Sequence, residues 1–288
     1  MPVPVKEAKL LEGKILASRI QDGIQSEIEK LVAEGKDRPR LLAIQVGNDP
    51  GSEWYLNQQE KLAHKLGIDF ETRQVSKESE LLGSVIKSNE DSKIHGIFIT
   101  MPLPRGFNSD VVLLAVDPKK DVEGIHPTNL GLIVLRKAKL IPSTAYAAYK
   151  LLEQTGIKLW GKKATIVGQS AIVGRPLQQL LGEQRVTTIV CNTGTPETEI
   201  KKFASESDIV IACAGKPGMI RGDWIKEGAV VIDIGTTEVD GKLVGDVDFE
   251  GARQRASFIT PVPGGVGPLT VTMLMQNLMH AYHWQKNS

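Results

Sequence analysis

Apolar residues recur along this chain in two alternating rhythms. Between Glu12 and Ala33 they fall at Leu16, Ile20, Ile24, Ile28 and Leu31, with Gly35 following as a stop, which predicts one amphipathic helix. The run Leu41–Val46 is almost wholly apolar and is followed by Gly47-Asn48-Asp49-Pro50-Gly51, so it reads as a buried strand ending in a turn. A helix is predicted over Ser52–Leu66. In Asp69–Val75 the charges Asp69, Glu71 and Arg73 occupy every second position, the pattern of a strand with one wet face. A helix over Glu78–Ser88 and an apolar strand over Ile94–Ile99 complete a β-α-β-α-β alternation.

The rhythm resumes after Gly161. Strands are predicted at Lys163–Val167, Val186–Cys191, Asp208–Cys213 and Ala229–Asp233, with a helix from Gly174 to about Leu181. Fully apolar strands such as Ile209-Val210-Ile211 suit a parallel sheet covered by helices on both faces. A last helix is expected from Pro268, a good first helical residue, to about Trp284. The fold class is α/β, in two units joined near Pro142–Gln154.

Composition narrows this picture. The 288 residues suggest about two domains at roughly 150 residues each. Thirty-five basic against 34 acidic residues leave a net charge of +1, so no global field draws nucleic acid or an anionic membrane. No apolar run approaches the ~18 residues of a membrane span. The opening Met1–Lys6 lacks the apolar core of a secretory signal, so a cytoplasmic protein is expected. Cys191 and Cys213 lack zinc-site spacing, have no nearby His in sequence and sit on apolar strands, which makes them core residues before nucleophiles. His280 and His283 share a helix face without a third ligand, so no metal is expected.

Ligands of open parallel sheets bind beyond the carboxyl ends of the strands, and three such places have unusual composition. After Val167 comes Gly168-Gln169-Ser170-Ala171-Ile172-Val173-Gly174-Arg175-Pro176, which reads either as a tight strand-to-helix turn or as a phosphate cradle at a helix N-terminus. The stretch after the next strand, Cys191-Asn192-Thr193-Gly194-Thr195, lacks the carboxylate that usually holds an NAD ribose. It also has no Arg or Lys for a 2′-phosphate, so the choice between NADP and NAD stays open. Near the C-terminus, Thr260-Pro261-Val262-Pro263-Gly264-Gly265-Val266-Gly267-Pro268 packs three glycines before a helix. Ser52, Tyr55 and Gln59 share one face of the second helix, which reads as a solvated face or as the lining of a polar pocket. His126 either borders a cleft or caps a turn.

Together these segments resemble the bifunctional methylenetetrahydrofolate dehydrogenase/cyclohydrolase family, from about residue 10 to residue 284. The resemblance rests on Val46-Gly47-x-x-Pro50-x-Ser52-x-x-Tyr55, Met101-Pro102-Leu103-Pro104, Lys120-Asp121-Val122-x-Gly124, Val173-Gly174-Arg175-Pro176, Gly222-Asp223-Trp224-Ile225-Lys226-x-Gly228 and Pro261–Pro268. It implies a folate-binding catalytic domain of residues 1–145 plus 267–288 and a Rossmann-like NAD(P)-binding domain of residues 146–266. It implies hydride transfer from 5,10-methylenetetrahydrofolate to NADP or NAD, then hydrolysis of the methenyl product to 10-formyltetrahydrofolate, in a homodimer. By motif, Ser52, Tyr55, Pro263, Gly264 and Gly265 are expected at the folate. Gly168, Gln169, Ser170, Gly174, Arg175, Thr193 and Thr236 are expected at the nucleotide.

The departures fall on the family's catalytic positions. Gln59 stands where the family has a lysine one turn after the tyrosine, and Lys61 is roughly 200° further round the helix. Thr100 replaces a glutamine, and Glu123 replaces an aspartate. Nearby, Gly235-Thr236-Thr237 stands for Gly-Ile-Asn, and Ala145 follows Thr144 in place of proline. A glutamine amide accepts no proton at a working pH, whereas hydride transfer asks mainly for positioning. Dehydrogenase activity is therefore expected to survive and cyclohydrolase activity to be lost or very weak. Three alternatives stand beside this: an enzyme acting on another one-carbon or pterin-like ligand, a non-catalytic ligand-binding paralogue, and ordinary bifunctionality with another residue, Glu123 or His126, in place of the lysine.

Overall fold

The computed structural model describes residues 7–47 and 50–286. In chain order its elements are β1 (Lys9–Leu10), α1 (Gly13–Ala33), β2 (Arg40–Val46), α2 (Pro50–Leu66), β3 (Asp69–Val75), α3 (Glu78–Glu90), β4 (Gly96–Ile99), α4 (Ser109–Ala115), α5 (Pro127–Val134) and α6 (Ser143–Gln154). Then follow β5 (Lys163–Val167), α7 (Gly174–Glu183), β6 (Thr187–Cys191), α8 (Glu197–Glu206), β7 (Ile209–Ala212), a 3₁₀ turn at Gly222–Trp224, β8 (Val230–Asp233), β9 (Thr237–Val239), β10 (Lys242–Val244), α9 (Phe249–Arg253), β11 (Phe258–Ile259) and α10 (Val266–Lys286).

The chain forms two compact units, one of residues up to Ala17 with Thr144–Thr270, the other of Ser18–Ser143 with the residues from Val271. The segment Pro142–Gln154, near which the two units are expected to join, carries helix α6. Residues up to Ala17 belong with the later unit because β1 pairs with β11 in its sheet.

In the unit of residues 18–143, three parallel strands lie in the order β3-β2-β4. The central strand alternates its apolar side chains between two cores. Leu41 and Ala43 join Ile24 and Ile28 of α1 and Leu278 and Met279 of α10 on one face. Leu42 and Ile44 join Leu81 and Val85 of α3 and Val112 of α4 on the other. All four β2 side chains are fully buried, which is why this strand carries no polar alternation. The edge strand β3 keeps the predicted wet face.

The other unit is a six-stranded parallel sheet in the order β1-β11-β8-β7-β5-β6. Strand β5 lies between β7 and β6, so successive strands are laid down on opposite sides of it. That makes the turn after β5 a topological switch point, the usual ligand position in such sheets. Segments quoted for the family resemblance also have packing roles here. A Cβ on Gly222 would meet Gly251 C at 2.3 Å, and Trp224 is buried behind it.

Lys120 is another such residue. Its ammonium is buried and donates to the carbonyls of Ser88, Asn89 and Asp91, each at 2.8 Å, at the C-terminal end of α3. A cation there satisfies the free carbonyls and complements the helix dipole. Lys120→Met removes all three charge-assisted bonds, and a loss on the order of 2 kcal/mol or more is expected. A urea denaturation midpoint unchanged from the parent would overturn this role.

Candidate active site

Helix α2 presents Ser52, Tyr55 and Gln59 inward. Ser52 and Gln59 are buried and Tyr55 is half-buried, whereas Trp54 and Lys61 are exposed. The face is therefore not a solvated one. The Tyr55 ring packs on Phe98 of β4 at 5.8 Å between centroids. Gln59 has no exposed surface, and neither its Nε2 nor its Oε1 makes a well-formed hydrogen bond, although the Tyr55 hydroxyl lies close enough to be influenced by it. A buried amide left in this state costs about 1–3 kcal/mol, so Gln59 is held here by packing and not by its hydrogen bonds.

Thr100, at the end of β4, is committed to the scaffold. Its Oγ1 accepts the Val46 amide at 3.0 Å, and its own amide donates to Ile44 O at 3.0 Å, tying the end of β4 to β2. Ser52 Oγ donates to Met101 O at 3.4 Å.

The segment carrying Glu123 is built around Asp121. Asp121 pairs with Ile97 as a parallel bridge, and its carboxylate accepts Gly124 N at 3.1 Å, His126 N at 2.7 Å and Asn129 Nδ2 at 2.8 Å. The turn needs a residue without a Cβ: Gly124 has φ +71°, and a Cβ would lie 2.4 Å from Ile141 C. His126 caps α5, its Nδ1 accepting Thr128 N at 3.0 Å, which decides between the two roles open to it. Glu123 is left half-buried with its carboxyl pushed up to about 8, first by burial and then by the charge of Asp121. Burial and the Glu123 charge push the Tyr55 phenol above its ordinary range. Tyr55 is thus a hydroxyl donor at working pH, and Glu123 is a carboxyl able to exchange a proton near neutrality.

In the other unit a cavity of about 1030 Å³ opens beyond β5, β6 and β7, bordered by Gly168, Gln169, Ser170, Thr193, Cys213, Lys216 and Arg221 among others. Its floor is a close backbone approach. Gly168 has φ +124°, and a Cβ there would meet Cys213 O at 2.2 Å; one on Gly174 would meet Gly168 O at 2.0 Å. Helix α7 starts from Val173 with no side-chain cap, and Ser170 Oγ accepts Val173 N at 3.1 Å. This is a cradle that fits a dinucleotide phosphate: glycines where bulk is excluded, and uncapped helix N–H groups. Gln169 Oε1 accepts Asn192 Nδ2 at 3.0 Å, locking the turns after β5 and β6 together.

Two aspartates below the cavity shape it. Asp246 Oδ2 accepts Ala214 N at 2.6 Å and Gly215 N at 2.9 Å, and Asp233 accepts the amides of Gly235, Asp246 and Val247. Burial, more than Asp246, raises Asp233 to about 6. Burial and these two carboxylates push the Cys213 thiol up to about 12, and burial raises that of Cys191, so neither is poised as a nucleophile.

The structure thus groups Tyr55, Gln59 and Glu123, and places Gly168, Gln169, Ser170 and Thr193 on one cavity. Arg175 and Thr236 are exposed and do not border it, and Gly174 acts through its close approach to Gly168. Gly264 and Gly265 close a turn, Gly265 N donating to Pro261 O at 2.8 Å and Gly13 N to Gly264 O at 2.9 Å; Pro263 is exposed on it. Sequence reasoning missed Lys216, Arg221, Asp233 and Asp246. Glycine density after Cys213 was the available signal for the first pair.

Two family models match the chain. One is the catalytic domain of tetrahydrofolate dehydrogenase/cyclohydrolase, over residues 11–123, and the other is the NAD(P)-binding domain of the same enzymes, over residues 142–286. The chain belongs to the tetrahydrofolate dehydrogenase/cyclohydrolase family. It is 44% identical over 283 residues to the bifunctional protein FolD of Halothermothrix orenii, covering 96% of this chain and 99% of that one. It is 43% identical over 279 residues to the FolD of Aquifex aeolicus, covering 96% and 95%. Among solved structures, the Trypanosoma brucei methylenetetrahydrofolate dehydrogenase-cyclohydrolase, complexed with NADP cofactor and an inhibitor, superposes with a TM-score of 0.94 at 35% identity over 98% of this chain and 100% of that one. The unit with the six-stranded sheet carries this family's NAD(P)-binding domain, and no helix among the described residues is long and apolar enough to cross a membrane.

The raised Glu123 carboxyl has a measurable sign. A carboxyl raised from 4.5 to about 8 adds stability that is fully present below pH 4.5 and is lost as pH rises through about 8. Carboxyl-carbon NMR is expected to show one glutamate titrating near 8, absent in Glu123→Gln. That variant also loses less stability than the parent between pH 5 and 8. A Glu123 resonance titrating near 4.5 refutes it.

Proposed function

We propose that this protein is an NADP-using methylenetetrahydrofolate dehydrogenase whose cyclohydrolase activity is lost or very weak. Membership of the family carries the dehydrogenase half, and the curated relatives are bifunctional by name. The single observation behind the weak hydrolytic half is Gln59: an uncharged, fully buried amide where the resemblance places a lysine.

A bound nicotinamide supplies the two-electron oxidant. The chain's own contribution is to bind and orient. The Gly168–Gly174 turn and the first turn of α7 hold the nucleotide phosphates, with Gln169, Ser170 and Thr193 along it. Tyr55 stacks on the folate and offers its hydroxyl, while Glu123, protonated near neutrality, donates to a pterin nitrogen. Gln59 donates and accepts hydrogen bonds with the nitrogens that flank the reacting carbon. Ser52 steadies the Met101 carbonyl, and the Pro263-Gly264-Gly265 turn contributes to folate binding.

Oxidation needs this positioning and little else. Water attack needs a group that takes up a proton as the C–O bond forms; the Gln59 amide does not, and Glu123 already holds its proton near neutrality. The three replacements at Gln59, Thr100 and Glu123 also suit a different one-carbon or pterin-like ligand. A homodimer and a cytoplasmic location belong to the same proposal.

The test mixes the purified protein with 5,10-methylenetetrahydrofolate and either NADP or NAD, following reduced nucleotide and methenyl product separately. Expected are nucleotide reduction and accumulation of methenyl product, its hydrolysis within about tenfold of the rate without protein. Gln59→Lys is expected to raise hydrolysis by roughly 10²-fold, the scale of general acid–base catalysis, with much less effect on oxidation. Rapid hydrolysis by the parent protein would falsify the loss of cyclohydrolase; no reduction of either nucleotide moves the ligand away from tetrahydrofolate.

A further inference from the structure

The family's nucleotide site leaves open what distinguishes NADP from NAD in this chain, and the turn after β6 does not decide it. The Asn192 side chain there is spent locally, and beside it the turn offers the exposed Thr193 hydroxyl. Asn192 holds Gln169, its Oδ1 accepts Gly194 N at 2.9 Å, and its amide donates to Thr195 Oγ1 at 3.0 Å. The turn carries neither the ribose-binding carboxylate of NAD sites nor a cation.

The charges bordering the cavity come from elsewhere. Lys216 and Arg221 lie on the segment after β7, and Glu197 opens α8. Arg221 Nε is paired with Asp223 Oδ1 at 2.9 Å and feels the charge of Glu197. Both partners of that pair are exposed, so it is weak and yields readily to a phosphate. Lys216 is different: it is exposed, and its ammonium makes no hydrogen bond or ion pair among the described residues. Around the cavity rim Arg221 is held by Asp223 and feels Glu197, whereas Lys216 is an exposed cation with no ion-pair partner among the described residues.

We propose that Lys216, backed by Arg221, is the specificity-determining cation that makes this site prefer a nucleotide bearing a 2′-phosphate. Recognition is thereby carried by the segment after β7, while Gln169 and Asn192 at the ribose turns are engaged with each other. An ammonium suits this role because it meets a phosphate as a point charge and needs no fixed fork geometry. The inference rests on the nucleotide reading above, so its test uses ligands that need no turnover.

Adenosine 2′,5′-bisphosphate and 5′-AMP differ only in the 2′-phosphate. Calorimetric titration of the full chain is expected to show the bisphosphate binding roughly tenfold or more tightly, the scale of one charge-assisted bond. That advantage shrinks as salt rises. Lys216→Ala is expected to remove most of the advantage while leaving 5′-AMP affinity in place. Lys216→Arg retains it, and Glu197→Gln enlarges it. Unchanged melting temperatures show that the variants fold. Equal binding of the two nucleotides by the parent, or an unchanged ratio in Lys216→Ala, overturns the assignment and leaves the nucleotide site standing. Binding of neither overturns the nucleotide reading as well.

Discussion

Buried carboxylates that accept backbone amides hold the working parts of this protein in place. In the six-stranded unit, Asp233 receives the amides of Gly235, Asp246 and Val247, and Asp246 in turn receives those of Ala214 and Gly215. The loops leaving β7 and β8 are thereby tied to one another at the carboxyl end of the sheet. Asp121 does the same in the other unit, gathering Gly124, His126 and Asn129. A charge in such a place is tolerable only because several donors converge on it, so the loops and the carboxylates each depend on the other.

That arrangement has an electrostatic consequence at the site. Asp121 is held by donors from its turn and from α5, and its charge, after burial, raises Glu123, which has no comparable set of donors, to about 8. Glu123 in turn acts on Tyr55. The scaffold therefore spends its hydrogen bonds on one carboxylate and leaves the neighbouring one responsive. Gln59 belongs to the same cluster: its side chain is fully buried beside the Tyr55 hydroxyl.

Much of the organisation was legible beforehand because its signals are local. Seven fully apolar or alternating runs marked strands, and the helix periodicity of α1 and α2 needed no tertiary information. The elements that escaped were short or polar: α8 buries only Ile200 and Ala204, and α5 rests on a histidine cap and a proline. β1 and β11 have two residues each and exist through pairing alone. The glycines at 168 and 174 were readable as a turn, but the cradle became specific only when Cys213, from another strand, closed on Gly168.

The sequence by itself determined the α/β alternation and the family, since periodicity and motif are properties of neighbours in the chain. Only the tertiary structure decided that Ser52 and Gln59 face inward, that Thr100 is spent on the Val46 amide, that His126 is a cap and that Lys216 and Arg221 border the nucleotide cavity. Each of those depends on which strand lies beside which. Strand order brings together residues tens of positions apart, and the burial and charge they then share set both hydrogen bonding and proton affinity.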